Sequence, residues 1–123
     1  MKKLKLVVLS NATDGQDAEY NDWYTNTHLD DVVAVPGFVS AQRFILKDPM
    51  GFEHKHNYLA IYEIESDDPQ KTIDEMMRRR GTDAMIISEA LDLSTAVAGV
   101  FEPCSPVVNA PQAGKKLERA GAK

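Results

Sequence analysis

At 123 residues, with 43% hydrophobic and 27% charged side chains, the chain is sized and composed for one packed domain rather than a disordered segment. Its net charge of -5, from 14 Lys+Arg against 19 Asp+Glu scattered along the chain, argues against a nucleic-acid partner, and the basic clusters at residues 2–5, 78–80 and 115–119 are too short to track a phosphate backbone. The single cysteine, Cys104, excludes an intramolecular disulfide and a zinc site built on several cysteines, while the absence of an apolar run near the length of a membrane span or a signal-peptide core predicts a cytoplasmic chain with no membrane partner.

Residues 3–11 (KLKLVVLSN) place Leu4, Leu6 and Val8 on one face and Val7 and Leu9 on the other, the pattern of a strand covered on both sides. Asp14-Gly15 marks a turn, and Asp17 is the expected N-cap of a helix. From residue 18 to about 33, Tyr20, Trp23, Tyr24, Thr27, His28 and Asp31 recur at spacings of three and four, which puts them on one helical stripe. Pro36-Gly37 stops that helix, because proline disfavours helical backbone in the residue before it.

Residues 38–47 (FVSAQRFILK) and 56–65 (HNYLAIYEIE) read as two strands of an antiparallel hairpin joined by a polar connection. Asp68-Pro69 then starts a second helix, running to about residue 80, with Ile73, Met76 and Met77 inward and three arginines favouring its C-terminal end. A short helical bridge is expected over 83–89 and a last strand over 93–102, where Ala96, Ala98 and Gly99 leave room for close packing. Residues 1–103 form the expected domain; residues 104–123, rich in proline, glycine and charge, are expected to be an extended or disordered C-terminal tail.

The order strand, helix, strand, strand, helix, strand predicts an α+β domain: a ferredoxin-like βαββαβ antiparallel sheet with both helices on one face. The opposite face keeps apolar side chains from several strands. A domain of this size buries only about two thirds of its unfolded surface, so a second copy covering that face, as a homodimer, is the expected solution.

His28 is the leading candidate for chemistry, since it falls on the aromatic stripe rather than on the polar side of its helix. Tyr24, four residues earlier, sets a phenol beside the imidazole, a pair able to hold an oxygenated ligand or move a proton. The competing reading is a partly buried histidine bonded to a carbonyl, with Trp23 and the tyrosines as ordinary core. Asp31 is placed either to orient the imidazole and raise its pKa or to stand in water. Arg43, inside a strand among apolar neighbours, calls for an anion, either Glu63 on the paired strand or a substrate carboxylate or phenolate. Tyr58 and Tyr62 are candidates to line the same cavity. His54 and His56 have a metal-like spacing, but no third ligand is near them in sequence, so no metal site is assigned. Cys104 has no neighbour that would lower its pKa and is not read as a nucleophile.

Residues 19–44 (EYNDWYTNTHLDDVVAVPGFVSAQRF), with YLAIYEIES and AVAGVFEP later, resemble the EthD-like branch of the dimeric α-β barrel superfamily. The shared positions are Trp23-Tyr24, His28-Leu29, Val35-Pro36-Gly37 and Arg43, and the likeness spans about the first hundred residues, leaving the tail outside it. The resemblance implies a homodimer whose protomers each hold a cavity between helices and sheet, often with the first-helix histidine at its mouth. Relatives of this kind include cofactor-free monooxygenases, polyketide cyclases, isomerases, dehydratases, haem-degrading enzymes and members without known activity. The haem-degrading pattern is poorly matched, because its Asn, Trp and His come from other elements than the helix carrying Trp23 and His28.

The sequence therefore predicts a small enzyme needing no cofactor, doing lyase, isomerase or cyclase chemistry on an aromatic or polyketide-like small molecule. His28 would be the base or acid, Tyr24 its assistant, and Arg43 or Tyr62 the holder of the developing anion, with Trp23 and Asp31 also in contact with substrate. The rival readings are a non-catalytic dimeric protein binding a hydrophobic small molecule, a cofactor-free monooxygenase, and a metal-assisted enzyme using His54 and His56.

Overall fold

The computed structural model describes residues 1–111 of the chain. Four strands, β1 (Lys2–Ser10), β2 (Phe38–Ile45), β3 (Tyr58–Ser66) and β4 (Val97–Phe101), form one antiparallel sheet in the order β2-β3-β1-β4. Strands β1 and β3 are central, in register as Leu6 opposite Tyr62 and Val8 opposite Ala60. The expected ferredoxin-like arrangement of four antiparallel strands is the one observed.

Period-two alternation decides which side chains are covered. Leu4, Leu6, Val8 and Ser10 of β1 share a face with Tyr58, Ala60, Tyr62 and Ile64 of β3, and on this face Leu6, Ser10, Ala60, Tyr62 and Ile64 are buried beneath the helices. The other face carries Val7, Leu9, Leu59 and Ile61 at its centre, with Phe44, Val97 and Phe101 exposed around them and no element among the described residues across them.

The first helix departs from the expected regular form. It runs as α1 (Asp17–Trp23), a π-helical turn (Tyr24–His28) and α2 (Leu29–Val33), the amide of Leu29 bonding back five residues to the Tyr24 carbonyl. A turn closed this way holds more residues than an α-turn, so side chains four apart stack nearly one above another while those three apart swing aside. His28 is thereby kept over Tyr24, and Thr27, expected on the inward stripe, points to solvent. The start also differs: Gln16 is the N-cap without a side-chain bond, and Asp17 instead accepts a hydrogen bond from the Tyr58 hydroxyl at 3.1 Å.

Beyond that helix, Val35, Pro36 and Gly37 turn the chain into β2. Gly37 holds φ +104°, a backbone favouring glycine, and a Cβ there would collide with the Thr72 side chain. Thr72 lies on α3 (Pro69–Arg79), whose start follows expectation, with Pro69 in its first turn and the Asp68 carboxylate accepting from the Lys71 amide at 3.2 Å.

Two expectations for the chain after α3 are corrected. Residues 83–89 are not helical: Gly81 donates to the Met85 carbonyl, the Trp23 indole donates to the Ile86 carbonyl, and the Thr13 amide takes the Ala90 carbonyl, so carbonyls a helix would use for itself have other donors. The last strand starts at Val97 rather than residue 93. The Asp92 carboxylate gathers the amide and hydroxyl of Ser94 and the hydroxyl of Thr95, folding residues 92–95 into a turn. Residues 102–111 have no regular structure and are exposed; the rest of the expected tail lies outside the described residues.

No helix among the described residues is long and apolar enough to cross a membrane.

Candidate functional site

Between the first helix, α3 and the β1, β3 and β4 part of the sheet lies a cavity of about 260 Å³. Leu6, Val8 and Ala98 supply its apolar floor, Met76, Met77 and Met85 one wall, and Tyr24, Tyr62, His28 and Arg80 its polar groups. Apolar walls with a few convergent polar groups are the usual make-up of a small-molecule site.

The structure brings three sequence candidates, His28, Tyr24 and Tyr62, to this one cavity. The His28 ring stands edge-on to Tyr24, with centroids 5.0 Å apart at 86°, and stacks on the Trp23 indole at 4.6 Å and 26°. Its Nδ1 is buried with no hydrogen-bond partner among the described residues. Burial, with a smaller contribution from the Arg80 charge, holds the imidazole pKa down at about 4, so His28 is neutral at physiological pH.

The two phenols form a relay. Tyr62 donates from its hydroxyl to that of Tyr24 at 3.1 Å, both groups buried, which leaves the Tyr24 proton free to be donated elsewhere. Burial pushes the Tyr24 phenol up to about 12, against a smaller opposing effect of the bond from Tyr62, and it raises Tyr62 further still. Both therefore stay protonated near neutrality and act as donors.

Four other candidates lie elsewhere, among them Tyr58, which stands outside the cavity with its ring against Tyr20 and its hydroxyl donating to Asp17. Trp23 is buried behind the imidazole, its Nε1 donating to the Ile86 carbonyl at 3.0 Å, so it fixes the ring and the 81–92 connection without lining the cavity. Asp31 neither lines the cavity nor bonds the imidazole, and the His28 pKa moves down rather than up. Its own carboxyl is raised by burial and by neighbouring Asp30.

Arg43 is the larger correction. Glu63 sits on the opposite sheet face, bound by Lys5 at 2.7 Å and Ser40 at 3.0 Å. Arg43 instead donates to the Thr25 hydroxyl at 2.8 Å and the Asn21 side-chain oxygen at 2.9 Å, and lies 4.6 Å from the Tyr24 ring centroid, with the rings of Tyr20 and Tyr58 at 5.2 and 5.3 Å. Neutral acceptors and aromatic faces answer its charge, so no anion is required. It also stands outside the cavity.

His54 Nε2 lies 3.2 Å from the Pro49 carbonyl and His56 Nε2 2.6 Å from the Thr95 carbonyl. Among the described residues no three His, Cys, Asp or Glu side chains converge as a metal site would need. Cys104 is free and exposed.

Sequence reasoning missed Arg80, read only as a complement to the helix dipole. The signal was the spacing to Glu75, which reaches Arg78 at i+3 and Arg79 at i+4 but not the next residue round the helix.

No protein-family model matches the chain, and no curated protein matches it by sequence. Solved structures do. A candidate monooxygenase from Shewanella loihica PV-4 superposes with a TM-score of 0.57 at 15% identity, over 85% of this chain and 97% of its own. The Arabidopsis thaliana protein At3g17210 gives 0.65 at 14% identity, over 85% and 99%. An ethyl tert-butyl ether (EthD) family protein from Bacillus halodurans C-125 gives 0.47 at 17% identity, over 82% and 98%, too low to add to the assignment. At these identities the likeness establishes the fold, that of the dimeric α-β barrel protomer, which is the fold the EthD-like resemblance implied.

Proposed function

We propose that the chain is a small enzyme that carries out acid/base chemistry without a cofactor on an aromatic or polyketide-like molecule, of the lyase, isomerase or cyclase type. The observation that carries the reading is His28: a neutral imidazole lining an apolar cavity, its buried Nδ1 engaged by no described residue. Buried polar atoms are normally paired, and those left unpaired mark places where a partner is absent or chemistry is done.

In this reading neutral His28 takes a proton from a carbon or oxygen made acidic by a neighbouring carbonyl or ring. Tyr24, held by the bond from Tyr62, donates its hydroxyl hydrogen to the oxyanion that develops. The protonated imidazole then returns the proton to another atom or to a leaving oxygen, which gives isomerisation in the first case and elimination or cyclising dehydration in the second. Substrate activation falls to Tyr24 and Tyr62 and not to Arg43, whose donors are committed on the other side of Tyr24.

The working form is a homodimer in which a second copy covers the apolar face of Val7, Leu9, Leu59, Ile61, Phe44 and Phe101. A monomer by sedimentation at micromolar concentration would remove that part of the reading.

His28→Gln keeps a polar side chain of similar reach and removes the base. Turnover on a substrate found by screening should fall by at least about a hundredfold while the variant stays folded, the scale expected for a lost general base. Full activity in the folded variant would sink the enzyme reading, and ligand binding with no product from the wild type would establish the binding-protein alternative.

A further inference from the structure

We infer that the cavity selects a small organic acid with an apolar body, its carboxylate held by Arg80 at the rim and its body lying against Met76, Met77 and Met85. The inference rests on the cavity being the working site, and it adds the substrate class.

Three observations converge on it. The first is charge: the chain carries 19 Asp+Glu and a net charge of -5, yet no carboxylate among the described residues lines the cavity. With His28 neutral, Arg80 is the one ionised group there among the described residues, which makes the cavity a locally positive place on an acidic protein. The second is availability. Glu75 takes Arg78 at 2.6 Å and Arg79 at 2.7 Å, while Arg80 has no ion-pair partner among the described residues. As the C-cap it keeps a helical φ of -58° while its ψ of 128° turns the following chain out of the helix, and its side chain lines the cavity instead of reaching Glu75. The third is size and surface. About 260 Å³ is below the roughly 300–1,000 Å³ usual for drug-sized ligands, so one ring with a short substituent is the fitting scale, and methionine walls adapt to an uneven outline.

Arg80 is thus a specificity-determining residue rather than a catalytic one, with a further effect on the base. Its charge helps to hold the imidazole of His28 in the neutral form. A carboxylate bound on the guanidinium offsets that charge and makes His28 more basic, so the acid that fits also sharpens the group that would act on it. Tyr24 and Tyr62, the other titratable groups facing His28 across the cavity, stay neutral throughout.

Calorimetric titration of the full chain with benzoate and with benzamide, its uncharged counterpart, tests the proposal in wild type, Arg80→Gln and Arg78→Gln. Benzoate should bind the wild type about tenfold more tightly than benzamide, on the scale of one exposed charge-assisted contact. That preference should fall to near parity in Arg80→Gln and persist in Arg78→Gln, whose guanidinium lies outside the cavity. In NMR titration, benzoate should raise the His28 pKa in the wild type and leave it unmoved in Arg80→Gln. Equal affinity for acid and amide, an undiminished preference in Arg80→Gln, or no binding of benzoate would overturn it. A lost acid preference alongside His28-dependent turnover would remove this inference alone; an Arg80-dependent preference in a protein without turnover would remove the enzyme reading alone.

Discussion

Tyr24 divides two clusters built from the same kinds of group, and they differ in how far they are complete. On one side, Arg43, Asn21, Thr25 and the rings of Tyr20 and Tyr58 close on one another, the cation answered by two side-chain oxygens and three aromatic faces. On the other, His28, Tyr62 and Arg80 line an open cavity, and both the Arg80 guanidinium and the buried Nδ1 of His28 lack partners among the described residues. A closed polar cluster contributes to stability; an open one gives up some stability to keep groups ready for a ligand. Residue type alone does not separate the two, since each has phenols and an arginine.

The largest test of that contrast is to remove each arginine in turn. Arg43→Ala should cost about 3 kcal/mol, because a charged donor to two oxygens is lost together with its contacts to three rings. Arg80→Ala should stay within about 0.5 kcal/mol, as expected of an exposed side chain without a partner. Urea unfolding of both variants measures the pair, and equal losses would erase the distinction between a structural and a ligand-directed cluster.

The same contrast explains what the sequence could reveal. The strands and hairpin were legible because alternation in LKLVVLS and YLAIYEIE is a direct print of which face is covered. The place of Tyr24 and His28 together was legible from their spacing of four, although the π-turn that aligns them was not, since one extra residue in a turn leaves the inward pattern almost unchanged. The turn at Asp92 and the irregular run over 83–89 were hidden because their side-chain and backbone bonds compete with secondary structure on terms that local propensity does not express. The partners of Arg43 are not legible because ring faces leave no mark of opposite charge in a sequence, and the freedom of Arg80 is not legible because it depends on where Glu75 is spent.

A second test uses pH. The folded pKa of His28, about 4, lies below the usual 6.5, so the unfolded chain binds this proton more readily than the folded one. Stability from this site is therefore intact above about pH 6.5 and is lost as pH falls toward about 4. Between about pH 7 and about pH 4.5 the wild type should lose about 2 kcal/mol more than His28→Gln, the difference cancelling groups common to both. Activity that depends on neutral His28 should likewise stay level through pH 6 to 8 and fall only on approach to about pH 4. A fall centred near the ordinary histidine value would show the ring to be solvated, and with it the open cluster to be mere surface.

A smaller effect on stability than that of Arg43→Ala is expected from Tyr62→Phe, and it reports most directly on what the open cluster is for. The change removes one hydroxyl from a buried pair and leaves the Tyr24 oxygen without its donor, a loss of about 1 kcal/mol by the usual worth of such a bond. If the pair serves packing alone, nothing further follows. If it serves to hold Tyr24 as a donor toward a developing oxyanion, the hydroxyl of Tyr24 becomes free to rotate and a phenol tuned by a neighbour becomes an untuned one. Turnover should then fall by about tenfold or more with little change in ligand affinity, because the lost interaction strengthens only as charge develops. A matched loss of affinity and rate would instead place Tyr62 in ground-state binding, and an unchanged rate would return both tyrosines to the core beside Tyr20, whose own hydroxyl is fully engaged by Ser10 at 2.6 Å.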